Sequence, residues 1–147
     1  METYRNLLVA VDLSEHSDAV CDRAAALATT FGAKITLLHV VEYVPVEPMG
    51  EALLPSVELS DDLRQSAVTR LTTLAQQHGL SNVPQEIRIG NIKSELIQVA
   101  KEIEADLIVL GSRERHGLAI LVNYTEDTIL HAAPCDVLAV RVRDYKQ

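Results

Sequence analysis

Short unbroken apolar runs alternate along this chain with longer stretches whose apolar residues recur every three or four positions. NLLVAVD (Asn6–Asp12), KITLLHVVE (Lys34–Glu42) and DLIVLG (Asp106–Gly111) have the continuous character of strands covered on both faces. QEIRIG (Gln85–Gly90) instead alternates apolar and polar residues and reads as an edge strand. DVLAVRV (Asp136–Val142) is a fifth strand, followed by a short polar tail. Between them, Val20, Ala24, Leu27 and Phe31 take helical spacing, with Ser14 as the expected N-cap and Gly32 as the stop. Ser56–Gly79 reads as a long helix with Leu63, Ala67, Leu71, Leu74 and Ala75 on its apolar face. Asn91–Ala105 reads as another, with Ile92, Leu96, Val99, Ala100 and Ile103 facing inward. A last helix runs to about Ala133, and Tyr43–Pro55, with three prolines and a glycine, is a loop.

The resulting βαβαβαβαβ order predicts right-handed crossovers and one doubly wound, five-stranded parallel sheet of Rossmann-like α/β class, spanning residues 1–147 as a single domain. With strand order 3-2-1-4-5, the winding reverses between the first and fourth strands. Ligands of such sheets bind beyond the carboxyl ends of the strands at that reversal. Asp12 and Gly111 mark those ends.

Composition narrows the partners. The 147 residues carry 13 basic and 21 acidic side chains, a formal charge of −8, which disfavours nucleic acid and anionic membrane surfaces. The two cysteines, Cys21 and Cys135, show no paired spacing and read as small apolar residues. No run approaches the roughly 20 apolar residues of a membrane span, and no signal segment is visible at Met1–Asn6, so a reducing cytoplasm is expected. Of the five histidines, His39 sits in an apolar strand and reads as a satisfied core residue. His16 and His78 read as surface helix positions, and His116 shares a loop with two arginines. With no GxSxG elbow, no metal-ligand spacing and Ser14 better suited to capping than to attack, no enzyme chemistry is indicated.

LLVAVDLSEHS, ITLLHVVE, ADLIVLGSRERHG and APCDVLAVRV, in that order, give the chain a resemblance to universal stress proteins of the UspA type over nearly its whole length. The resemblance implies the five-stranded fold argued above and a cytoplasmic stress-response role as a homodimer joined through the last strand, Asp136–Val142, with protein partners that the sequence does not name. The unpaired apolar edge of that strand points to the same pairing. One branch of the family binds ATP through a G-x-x-G-x9-G-[ST] signature. Here the first glycine is Gly111 and the final hydroxyl Thr125, but Glu114 and Tyr124 stand at the second and third glycines. Asp12 resembles the family's ribose or adenine contact, and Val40 a residue lining the adenine pocket.

The departures work against phosphate. Glycine admits a phosphate because no Cβ intervenes. Glu114 closes that approach and adds a charge costing about 1 kcal/mol at ~4 Å even in water. Glu126 and Asp127 bring two more acids to the helix start that phosphates would use. Arg113 and Arg115 either grip an anion or neutralise these acids internally. The expectation is therefore a protein with no cofactor. The alternative is a modified site for ATP, ADP or AMP built from Asp12, Val40, Gly111, Arg113, Arg115 and Thr125.

Overall fold

The computed structural model describes residues 3–42, 57–113 and 129–142, the side chains of 57–60 and 113 excepted. Within it, β1 (Asn6–Ala10), α1 (Ser17–Phe31), β2 (Lys34–Glu42), α2 (Val57–Gln77), β3 (Gln85–Gly90), α3 (Ile92–Glu102), β4 (Leu107–Arg113) and β5 (Asp136–Val142) follow one another, and residues 129–132 are helical. The strands form one parallel sheet in the order β3-β2-β1-β4-β5. That is the doubly wound α/β architecture expected from the alternation of patterns.

Side chains of a strand point to opposite faces in turn, so a buried strand feeds two cores. Leu7 and Val9 join α1 and α2 residues Val20, Cys21, Ala24, Leu71, Leu74 and Ala75 on one face. Leu8, between them, packs with Leu38, Leu96, Val99, Ile108 and Ile129 on the other. Helices therefore cover both faces of the sheet, and β1 is dry on each: Leu7, Leu8 and Val9 are all 0% exposed.

Helix ends follow local chemistry. Gly32 takes the left-handed conformation (φ 65°, ψ 34°), which costs glycine little, and its N–H and that of Ala33 both return to the Ala28 carbonyl. Asn91 caps α3, its side chain accepting from Ser94 N–H at 3.0 Å. At the amino ends of β1 and β4, the Asp106 carboxylate accepts from the N–H groups of Arg5 (2.8 Å) and Asn6 (3.0 Å). The Asn6 amide in turn donates to the Ile103 carbonyl at 3.2 Å. The β3 edge carries polar cover: Arg64 donates to the Ile87 carbonyl, and Arg88 reaches Glu102 at 2.6 Å.

Several expectations need correction. Ser14 does not cap α1, which begins three residues later with no side-chain cap bond at its N-cap residue His16. β1 stops at Ala10 rather than Asp12, and β4 runs on to Arg113 because its ladder with β5 continues through Arg113↔Val142. Leu63, assigned to the apolar face of α2, is 43% exposed. His78 and His16 are half-buried residues at helix boundaries rather than surface helix positions, their side chains 11% and 13% exposed, and His78 lies between two carboxylates.

Candidate functional site at the strand reversal

β1 is flanked by β2 and β4, so the reversal of winding lies at the β1–β4 junction. The register Val9↔Val109, carried two residues on, brings Val11 level with Gly111 and Asp12 one step beyond. The register Ala10↔Leu38, carried on likewise, brings Val40 level with Asp12. Asp12, Val40 and Gly111 thus all lie toward the carboxyl end of the sheet, with Gly111 against Val20 of α1 on one face and Val40 packed in the opposite core. Arg113 is the last residue of β4, and its backbone alone is described. Glu114, Arg115, His116, Gly117, Tyr124, Thr125, Glu126 and Asp127 lie outside the described residues, as does the Tyr43–Pro55 loop.

Asp12 is the hub of the turn into α1. Its Oδ1 accepts from Ser14 N–H at 2.9 Å, from Ser14 Oγ at 2.6 Å and from Ser17 Oγ at 3.2 Å. Ser14 Oγ accepts from His16 N–H in turn, at 3.2 Å. This is the aspartate turn in which a side chain substitutes for a backbone acceptor. It satisfies Ser17, the one polar residue classed as buried among the described residues. The turn bends through Leu13, whose φ of 61° is uncommon for a residue with a Cβ. Arg70 on α2 donates to the Leu13 carbonyl at 2.7 Å and holds that conformation. His39 on β2 donates from Nδ1 to the Val11 carbonyl at 2.8 Å, closing the other side. That bond satisfies His39 as its place in an apolar strand leads one to expect, whereas the role of Arg70, made across 57 residues of chain, is invisible in sequence.

Gly111 has a packing reason to be glycine. Its φ is not positive, but a Cβ there would lie 3.2 Å from Val20 Cγ2 on α1 and 3.7 Å from Val142 Cγ2. The missing side chain lets α1 seat closely on β4. Val40 is 9% exposed within the second core face.

Both thiols are held toward the protonated form. Burial first, then the charges of Asp18 and Asp22, push Cys21 up to about 12. Burial likewise raises Cys135, helped by Asp106 and Asp136. Among the described residues no group of three His, Cys, Asp or Glu side chains is placed to hold a metal ion, and no helix is long and apolar enough to cross a membrane.

Residues 3–141 match the family model described as the universal stress protein family. Universal stress protein A homolog 1 of Coxiella burnetii is 37% identical over 142 residues, covering 96% of this chain and 99% of that protein. Among solved structures, universal stress protein UspA from Lactobacillus plantarum shares 25% identity, covers 96% of this chain and 100% of its own, and superposes with a TM-score of 0.67. A universal stress protein solved in complex with cAMP, 20% identical, covers 95% of this chain and 98% of its own with a TM-score of 0.68, a likeness of fold.

Proposed function

The chain belongs to the universal stress protein family, and we propose that it is a single-domain, cytoplasmic, homodimeric member of the UspA type that acts through protein contacts, catalyses no reaction and does not bind ATP productively. The observation that carries this reading is the pair Glu114 and Tyr124, standing where the ATP-binding branch has glycine. Neither admits a phosphate to the backbone, and Glu114 repels one. Two features at the described end of the site support it. The Asp12 Oδ1 already accepts three donors from its own turn. Gly111 is accounted for by the seat of α1.

Calorimetric titration of Mg-ATP into the purified protein is expected to give only heats of dilution. Micromolar affinity would sink the reading. A second reading, a nucleotide held in a modified pose by Asp12, Val40, Gly111 and the two arginines, is favoured by the related protein solved with cAMP. Heat extraction of the purified protein followed by mass spectrometry separates the two, because a tightly held nucleotide co-purifies.

The dimer proposal rests on β5, which among the described residues ends the sheet with a neighbour on one side only. Pairing with a second β5 across a two-fold axis satisfies its outer backbone groups. Sedimentation equilibrium at micromolar protein is expected to return twice the chain mass. A single-chain mass there contradicts the proposal.

A further inference from the structure

His78 directly follows the last residue of α2 and reaches across to α1 with both ring nitrogens. Nδ1 lies 2.8 Å from Asp22 Oδ1, and Nε2 lies 2.7 Å from Asp18 Oδ1. A carboxylate only accepts hydrogen bonds, so both nitrogens must donate. A neutral imidazole has one N–H and cannot make both bonds; the geometry therefore requires the imidazolium. We propose that His78, Asp18 and Asp22 form a proton-operated latch holding the C-terminal end of α2 against the first two turns of α1. The latch is closed while both ring nitrogens carry hydrogen.

The surroundings favour the closed state and leave its proton exchangeable. The ring is 11% exposed while its partners are 58% and 73% exposed, so the ring is covered and the carboxylates reach solvent. The helix end beside His78 carries the negative pole of α2, which favours a cation. From α1, Asp18 and Asp22 face the ring, and the thiol of Cys21 on the same stretch stays protonated. From β2, Lys34 lines the same open cavity of about 690 Å³ as His78. Glu15 and Arg70 line a neighbouring groove with Asp18, and Arg70 is committed to the Leu13 carbonyl. The segment from Gly79 to Pro84 contributes no titratable side chain.

Burial draws the histidine down, but the hydrogen bonds and charges of Asp18 and Asp22 outweigh it and raise His78 above its ordinary 6.5. A folded value raised above the unfolded one stabilises the protein fully below about 6.5, and that stabilisation is lost as pH rises through the folded value. When the proton leaves for solvent, one ring lone pair faces a carboxylate and that bond is lost. Asp18 adjoins Ser17, which is bonded to Asp12. The latch therefore bears on the helix that starts at the strand reversal, whatever that end of the sheet binds.

Cys21, 0% exposed in the first two turns of α1, reports on opening. Its rate of reaction with a thiol reagent, compared between wild type and His78→Gln at one fixed pH below neutrality, is expected to rise about tenfold in the variant, the change a charge-assisted hydrogen-bond pair can carry. The ratio of the two rates falls toward one as pH rises and the wild-type latch opens. The His78 ring resonance is expected to titrate above free histidine, and to fall back in Asp18→Asn/Asp22→Asn. Asp22→Asn alone, which keeps one partner, gives a midpoint between the two and serves where His78→Gln does not fold. A ring that titrates at or below free histidine overturns the proposal, as does a rate ratio independent of pH.

Discussion

Asp106→Ala lowers the unfolding free energy by about 3 kcal/mol, read as a drop in the urea midpoint with the slope unchanged. The residue sits just before β4, and its two carboxylate oxygens take successive backbone N–H groups of Arg5 and Asn6 at the entry to β1. Its own N–H donates to the Asn6 carbonyl at 3.0 Å, so backbone and side chain together tie the starts of two neighbouring strands. Bonds to an ionised acceptor are roughly twice as strong as neutral ones, and alanine removes the acceptor of two donors together. Asp106→Asn is expected to lose about half as much, since the amide keeps one acceptor and turns an N–H toward the other donor. A loss under about 0.5 kcal/mol in the alanine variant would show that water replaces the carboxylate without cost.

Asp12→Ala is the second. It removes the common acceptor of Ser14 N–H, Ser14 Oγ and Ser17 Oγ, and Ser17 is only 1% exposed. A buried hydroxyl without a partner, added to the lost turn, costs about 2 kcal/mol. Asp12→Asn keeps an oxygen at the same place and is expected to cost under about 1 kcal/mol in the same urea titration. The pair separates two roles of this aspartate. A structural hub is sensitive to losing the acceptor and tolerant of losing the charge. Equal losses in both variants would show that the charge matters in its own right.

These residues also show what was legible in the chain. β2, β3 and β5 could be bounded to the residue because each is a run closed by a glycine, a proline or a charge. The alternation of runs and helical stretches gave a doubly wound parallel sheet, since crossovers are right-handed, whereas the order 3-2-1-4-5 came with the family resemblance. Asp12 could be located at the reversal, but its work could not be read. DLSEHS offers several cap-forming residues in six positions. The choice among them is made by Leu13 in a left-handed conformation that Arg70 holds from 57 residues away. The helical pattern places His78 at a surface helix position for a similar reason, since its partners lie 56 and 60 residues back along the chain. Leu63 matched the period of α2, and a period cannot show where along a helix the covering layer ends. Local pattern reports which face is apolar, and contacts across the sheet decide the rest.

β1 is made early in synthesis, yet it ends at the middle of the sheet. Its pairing with β2 becomes available once residue 38 has been added, whereas its other edge waits for β4, with Leu7 opposite Leu107. At a translation rate of roughly 5–20 residues per second, one flank of the driest strand stands open for about 5–20 s while the chain is still being lengthened. During that interval the nascent protein displays an apolar edge that the finished one never shows. Until β4 arrives, that edge is open to pairing with any other strand.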